Sequence, residues 1–451
     1  KTVELTLNEM NIQSVEFHIN ELTKKGMKDI LEQDSSNPQV ITSVSFNIKY
    51  DGADSTLNIE YKNLSKIKKD FNEEHIKLFG FFSPEKNLII ESIVVELNVI
   101  NEDLELNINL RKKETQKNFY KYKKNVYMKN EWHETFLINR EDMERNKILR
   151  GPGIILEPNA TIVIEPEWEV SLSENSELIL NRYKSVHKNL IEKDKSDPVM
   201  LEIFNNLFMS IAEQMGVTLQ KTSSSVNIKE RLDFSCAIFD KDGNLIANAP
   251  HIPVHLGSMS ESVKSILKQN NKKIKPGNFY MLNSPYNGGT HLPDISVIAP
   301  VFDKTGNELL FFTGSRGHHA DIGGITPGSM PPNSININQE GIIIENFLLV
   351  EDNHFFEKEV KKLFQNSEHP SRNIDHNIAD LKAQVAACKK GIYELHGVIE
   401  QYSKEIVIAY MGFVQDNAEK SIKNAITKLK NTSYSYEFDN NKKICVKIIV
   451  D

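Results

Sequence analysis

Apolar side chains return at helical spacing over residues 8–33, where Val15, Ile19, Leu22 and Met27 form one stripe. The pattern switches to alternation over 39–50 and 55–61, around the turn Asp51-Gly52, and the run 88–107 is also strand-like. Gly151-Pro152-Gly153 leads into Ile154-Ile155-Leu156, and after Glu157-Pro158-Asn159 the apolar run resumes over 160–164, a compact hairpin signal. Residues 171–196 are polar and charged and read as a linker. A well-signed helix opens at Asp197, whose carboxylate can accept a free amide proton, with Pro198 at the first helical position, where a missing N–H costs nothing. Its stripe is Leu201, Phe204, Phe208, Ile211, Met215 and Leu219. Helical spacing returns over 373–429 through Ile378, Leu381, Val385, Ile392 and Leu395, then Ile406, Ala409, Phe413, Ala418 and Ile422. Strand pattern closes the sequence over 432–450. The expected class is mixed α+β: a β-rich module, then a domain of hairpins and sheets with long helices. The last apolar strand has no partner in view. Lys1-Thr2-Val3-Glu4 carries neither an initiator Met nor the apolar core of a leader, so both ends read as cuts.

Two near-identical turns organise the second half. Phe239-Asp240-Lys241-Asp242-Gly243-Asn244 and Phe302-Asp303-Lys304-Thr305-Gly306-Asn307 each set an Asp to cap amides and a Gly to take the left-handed position. If Phe302 pairs with Asn307 or Glu308, His291 falls opposite His318 or His319, and Asp294 opposite Ser315 or Arg316. Directly opposed residues have Cβ atoms about 4.5–5.5 Å apart. The open end of this hairpin would therefore gather His291, Asp294, His318 and His319, with Asp321 just beyond. The same count on the first hairpin puts Asp233 near His251, with His255 a little further on.

Imidazoles beside a carboxylate suit a divalent transition metal, with positions left for water or substrate. His291, Asp294 and a third ligand from His318 or His319 make a candidate facial site. A metal there could make hydroxide at neutral pH or polarise a carbonyl. The alternative is that these histidines cap turns and bond to backbone carbonyls. His251, His255, Arg316 and Asp321 complete the catalytic candidates. Gly288, Gly289, Gly323 and Gly324 flank the cluster, either as close-approach sites for a substrate or as tight turns. Asn283 is a further substrate-binding candidate, with Ser284 and Lys229 weaker ones. Cys236, in an apolar strand, reads as a buried thiol and not a nucleophile.

At 451 residues, two to four domains are expected at about 100–200 residues each. The balance of 54 Lys+Arg against 62 Asp+Glu, net −8, argues against nucleic acid or an anionic membrane as main partner. No apolar run approaches the roughly 18 residues of a membrane span. Cys236, Cys388 and Cys445 are far apart and unpaired by spacing, which fits a reducing compartment and excludes a thiolate zinc cluster. There is no GxxxxGK[ST], GxSxG, HExxH or strand-GxGxxG-helix motif, so a nucleotide site is not recognisable here.

Longer strings carry a resemblance. Asn227-Ile228-Lys229-Glu230-Arg231-Leu232-Asp233-Phe234-Ser235-Cys236, Ala249-Pro250-His251-Ile252-Pro253-Val254-His255-Leu256-Gly257, Gly288-Gly289-Thr290-His291-Leu292-Pro293-Asp294 and Ser315-Arg316-Gly317-His318-His319-Ala320-Asp321-Ile322-Gly323-Gly324 resemble the hydantoinase B/oxoprolinase family, from Asp197 to about residue 430. Phe71-Asn72-Glu73-Glu74-His75 and Gly151-Pro152-Gly153-Ile154-Ile155-Leu156-Glu157-Pro158 resemble the C-terminal region of the hydantoinase A half. The division this implies is an A-like region over 1–170, a linker over 171–196 and a partial B-like domain over 197–451. Fusion of the two halves points within the family to ATP-dependent opening of the 5-oxo-L-proline lactam to L-glutamate, a cytosolic reaction of glutathione turnover. The runner-up is a B-type subunit of an N-methylhydantoinase or acetone-type carboxylase; a third reading is an inactive truncated copy. The resemblance implies ATP with Mg in an A-like portion that these residues lack, a homodimer, and metal ligands at His291, Asp294 and one of His318 or His319. Those histidines could instead serve as general bases. On this reading the polypeptide alone does not hydrolyse 5-oxoproline.

Overall fold

The computed structural model describes residues 1–33, 39–53, 55–79, 82, 84, 86–100, 122–184, 194–270, 273–328 and 331–450. They belong to two compact units, one of residues 1–33, 42–97 and 192–451, the other of 34–41 and 98–191.

The first unit begins with β1 (Thr2–Thr6), α1 (Ile12–Gln33), β2 (Gln39–Tyr50), β3 (Leu57–Glu60), α2 (Leu64–Phe79) and β4 (Leu88–Ile100). The strands form one sheet in the order β1-β4-β2-β3. Val15 of α1 and Ile67 and Phe71 of α2 bury against Phe46, Ile48, Ile90 and Ile93. The α1 helix starts at Ile12 and not at residue 8 as expected, because Asn8 first caps a short turn by accepting from Asn11 N–H at 3.0 Å. The predicted continuation of β4 through 101–107 lies outside the described residues.

The second unit contains β5 (Tyr122–Met128), β6 (Glu131–Asn139), β7 (Leu149–Arg150), β8 (Gly153–Leu156), β9 (Thr161–Ile164), β10 (Trp168–Leu172) and β11 (Leu178–Arg182). They make two sheets, β5-β6-β8-β9 and β11-β10-β7. The hairpin expected after Gly151-Pro152-Gly153 is present, with Ile154 opposite Val163. The linker reading is corrected at its start. Residues 171–182 contribute to a hairpin in which Trp168 faces Arg182 and Leu172 faces Leu178. Val170 and Leu172 anchor it in the unit's core, a signal that surrounding charge had masked. Residues 185–193 of the expected linker lie outside the described residues.

The rest of the first unit holds α3 (Pro198–Thr222), α4 (Val226–Lys229), β12 (Phe234–Asp240), β13 (Leu245–Asn248), α5 (Pro253–Asn270), β14 (Phe279–Leu282), β15 (Asp294–Phe302), β16 (Leu309–His318), β17 (Phe347–Glu351), β18 (His354–Phe355), α6 (Glu357–Gln365), α7 (Ile374–Tyr402), α8 (Lys404–Ile426), β19 (Thr432–Glu437) and β20 (Lys443–Ile448). Asp197 caps α3 as expected, accepting from Val199 N–H at 3.0 Å and Met200 N–H at 2.9 Å. Phe204, Phe208, Ile211, Met215 and Leu219 bury along one stripe of α3. The helical pattern over 373–429 forms two successive helices, α7 and α8. Ser403, at φ 78°, takes a backbone conformation that breaks α7 from α8. The final strand has a partner after all, since β20 pairs with β19 and places Val446 opposite Tyr434.

A seven-stranded antiparallel sheet runs in the order β13-β12-β16-β15-β14-β17-β18. Side chains alternate between its faces. On one face Ala237, Phe239, Ile298, Phe312, Tyr280 and Leu282 pack on Met259, Val263 and Ile266 of α5. On the other, Ile295, Val297, Ala299, Phe279 and Met281 pack on Val360 and Phe364 of α6 and on Leu381, Val385 and Cys388 of α7. Cover on both faces explains why β12, β15 and β16 are buried almost throughout.

Both predicted turns form. Asp240 Oδ1 accepts from Asp242 and Asn244 N–H, and Asp303 Oδ1 from Asn307 and Glu308 N–H. The second loop is longer than counted, because Asp303 pairs through its backbone with Glu308 and Phe302 comes opposite Leu309. The register therefore slips from the count. Asp294 faces His318, whereas Arg316 faces Ser296.

A candidate metal centre at the end of the central strands

The corrected register builds the site in rows. Phe234 pairs with Gly317, and one step further His318 N–H donates to Asp233 O at 3.0 Å. Asp233, His318 and Asp294 thus form the terminal row on the face under α5, above a second row of Ser235, Arg316 and Ser296. His291 enters from the turn before β15, held where Asp294 N–H donates to His291 O at 3.1 Å.

Asp294 is fully buried and is the hub. Its Oδ2 lies 3.0 Å from His255 Nε2 and 3.0 Å from His291 Nδ1, and accepts from Thr290 Oγ1 at 2.6 Å. Its Oδ1 lies 3.0 Å from His318 Nδ1, which is also 3.1 Å from His291 Nε2. Burial alone would raise the Asp294 carboxyl, but hydrogen bonds from His255, His291 and His318 overcome it and hold the group well below the usual carboxylate range. The bond to Asp294 raises His291 against the opposing effect of burial. Asp233 adds a partly exposed carboxylate 3.7 Å from His318 Nδ1.

His291, Asp294 and His318 offer three ligand atoms within 4.8 Å of one another. One proton on His318 Nδ1 cannot serve both His291 Nε2 and Asp294 Oδ1, whereas a cation among them satisfies all three lone pairs. Ligand atoms about 2.1 Å from a metal and at right angles stand about 3 Å apart. The donor set and spacing therefore fit a divalent transition metal.

The other predicted site residues divide clearly. His255 joins the cluster. His319 does not: alternation turns it to the opposite face, where Nε2 meets Gln384 Oε1 at 3.1 Å and Asn377 Nδ2 donates to Nδ1 at 3.1 Å. Burial pushes this ring's pKa down. Arg316 lies beneath the site, fully buried, and spends its donors on Ser296, Ser258, Ser262, His255 O and Gly288 O. Asn283 is consumed by Leu292 O, Ile342 O and Ile344 N–H, and Asp321 by Arg372 and Gly323 N–H. Gly288 serves a close approach at φ 87°, since a Cβ there would strike the Glu261–Ser262 backbone. Gly289, Gly323 and Gly324 likewise abut backbone atoms, so all four glycines act as packing points. Ser284 is buried in the turn before Gly288 and its N–H donates to Ile344 O, and Lys229 sits at the end of α4. Cys236 is buried, as expected, and burial pushes its thiol well up.

Asp233 turns to His318, while His251 packs edge-on to Phe234 and over Gly216 of α3, its Nδ1 accepting from Cys236 N–H at 3.1 Å. Burial, then the neighbouring His255, pushes His251 down from 6.5 to about 4. The unfolded chain takes up this proton first, so stability should fall as pH drops through that window. After discounting for partial exposure, we expect a loss of about 1–2 kcal/mol. Urea unfolding at both ends of the window should show it, and His251→Asn, which keeps an acceptor near Cys236, should flatten the dependence. Thr290 and Ser235 are cluster members that sequence reasoning did not single out; each stands within a quoted string, but a lone hydroxyl carries no spacing signal.

Comparison with known proteins places this geometry in context. The profile described as hydantoinase B/oxoprolinase matches residues 197–451, and that described as the hydantoinase/oxoprolinase C-terminal domain matches 6–183. The 5-oxoprolinase of Saccharomyces cerevisiae is 39% identical over 429 residues, which is 91% of this chain and 33% of that protein. The 5-oxoprolinase 1 of Arabidopsis thaliana is 39% identical over 423 residues, again 91% of this chain and 33% of that one. The chain thus spans about a third of the length of these relatives. Among solved structures, the ATP-dependent caprolactamase of Pseudomonas jessenii is similar at a TM-score of 0.51 and 27% identity, covering 57% of this chain and 45% of that one.

Proposed function

The chain belongs to the hydantoinase B/oxoprolinase family, and on that premise we propose that it is part of an ATP-dependent cyclic amide hydrolase that opens 5-oxo-L-proline to L-glutamate. Relatives named 5-oxoprolinase support the substrate, and the likeness to a caprolactamase supports the wider class of lactams. We read the A-type region as extending from 1 through the hairpin that ends at Arg182, and 197–451 as part of the B-type domain, joined through 183–196. We assign ATP with its magnesium to the A-type half, outside these 451 residues, and the protein to the cytosol as a homodimer. No helix among the described residues is long and apolar enough to cross a membrane, and Cys236, Cys388 and Cys445 are unpaired.

A lactam resists water because attack must break amide resonance. Transfer of the ATP γ-phosphoryl group to the lactam oxygen makes that oxygen a leaving group and the carbon electrophilic. Water then adds at the carbon and the C–N bond breaks with a proton going to nitrogen, which leaves an acyl phosphate, and a second water hydrolyses this to the carboxylate and free phosphate. The observation that carries a role for this chain is the convergence of His291, His318 and Asp294 on one point. A divalent cation held there would polarise a carbonyl or phosphoryl oxygen. The chain's own groups supply the frame: Asp294 fixes three imidazoles, and the partly exposed His291, His318 and Asp233 form the face open to substrate.

Protein purified without chelator should contain about one equivalent of a divalent transition metal per chain, read by elemental analysis. In the full-length polypeptide, ADP release should depend on 5-oxoproline. Release driven instead by N-methylhydantoin, or by acetone with bicarbonate, would move the assignment to those members of the family.

A further inference from the structure

We propose that His255, held in turn by Ser235, is the positioning residue that presents Asp294 to the metal. The inference rests on the metal reading above and concerns groups that no sequence comparison assigns.

Ser235, His255 and Asp294 form a continuous string. Ser235 Oγ lies 3.0 Å from His255 Nδ1, and His255 Nε2 lies 3.0 Å from Asp294 Oδ2. The order resembles a nucleophilic triad, but the geometry excludes one. Ser235 is fully buried in β12 with no path to substrate, and its hydroxyl meets Nδ1, while Nε2 is spent on the carboxylate. In a nucleophilic triad the serine pairs with Nε2, and the carboxylate holds Nδ1. Here the string runs inward and its carboxylate faces the cluster.

An ionised Asp294 only accepts, so His255 carries its proton on Nε2, and Nδ1 is left to accept from the Ser235 hydroxyl. The carboxylate thereby selects the tautomer, and the hydroxyl, able to donate or accept, holds the ring at its other nitrogen. The ring is 1% exposed and cannot swing away. The backbone beneath it is also clamped, because Arg316 donates to His255 O and Ser262 and, through Gly288 O, ties the first turns of α5 to the turn that precedes His291. His255 and Thr290 together occupy Oδ2 from the protein side and leave Oδ1 aimed at His318. Hydrogen-bond partners that orient metal ligands typically contribute about ten- to hundredfold in affinity.

The test is Zn²⁺ affinity by competition with a chromophoric chelator, together with the visible spectrum of the Co²⁺-loaded protein. His255→Leu should bind Zn²⁺ about ten- to hundredfold more weakly, with an altered Co²⁺ spectrum. His255→Gln, whose amide can donate from nearly the position of Nε2, should recover most of the affinity. Ser235→Ala, a milder change in case His255→Leu fails to fold, should weaken binding by a smaller factor. Wild-type affinity in both His255→Leu and Ser235→Ala would overturn the inference while leaving the metal reading intact. Equal loss in His255→Leu and His255→Gln would also overturn it, since the donor would then be irrelevant. Absence of Zn²⁺ binding by the wild type would instead remove the metal reading itself.

Discussion

Asp294→Asn is expected to abolish metal binding at any workable concentration and to end turnover in the full-length polypeptide. The carboxylate is a ligand atom and the hub for three imidazoles at once. Its loss should therefore exceed the roughly hundredfold ceiling of residues that only orient ligands. Stability should fall as well. The amide accepts through one oxygen only and more weakly than a carboxylate, so at least one of the buried contacts that Asp294 accepts is lost, at about 1–3 kcal/mol. The pH dependence identifies the cause. The folded-state pKa of Asp294 lies below its ordinary value, so its contribution is complete above about pH 4 and fades as pH falls further. The stability gap between wild type and variant in metal-free protein should therefore be full at pH 7 and shrink below about pH 4. Isothermal titration with Zn²⁺ and urea unfolding across that range would check both parts. A variant that binds the ion with unchanged affinity would remove Asp294 from the site.

Arg316→Met should be the most destabilising single substitution near the site. The guanidinium is fully buried, and its hydrogen-bond partners are all uncharged. Burial pushes it down to about 10, with the Asp294 charge working in the opposite direction. The side chain joins β15, α5 and the turn at Gly288, three pieces of backbone distant in sequence. Removing it strands several acceptors under the sheet, so a loss on the order of 3–5 kcal/mol is expected. Arg316→Lys should restore little, because one ammonium cannot reproduce the planar fork. Thermal unfolding would measure the loss. A difference below about 1 kcal/mol would mean that these contacts add no net stability.

Much of this architecture was legible from periodicity. The apolar stripe of α3, its Asp197 cap and the two Asp-Gly turns follow from local rules that tertiary contacts reinforce. Register was not legible to the last residue. Asp303 closes a loop one residue longer than assumed and a bulge between Val301 and Phe302 adds a second residue, which together move Asp294 from opposite Arg316 to opposite His318. Whether the paired numbers sum to an odd or an even value decides which of two adjacent histidines faces the cluster, a question of parity that composition cannot answer. Asn283 and Asp321 illustrate another limit. A polar side chain that satisfies buried backbone groups looks the same in sequence as one that awaits a ligand. The strands within 171–182 were missed because charged exposed positions outnumbered the few buried ones, and the break at Ser403 because neither Gly nor Pro marks it.

The placement of the cluster has a bearing on rigidity. Binding sites are commonly drawn from segments that open easily and cheaply. Here Asp294 and His318 project from β15 and β16, strands with a neighbour along each edge and helices above and below. The strands that carry them are therefore expected to be among the last segments of the described residues to open. An ion seated on them would therefore come and go through the mouth of the site, without fraying of the walls, and its departure rate would be set by ligand exchange and not by breathing of the scaffold.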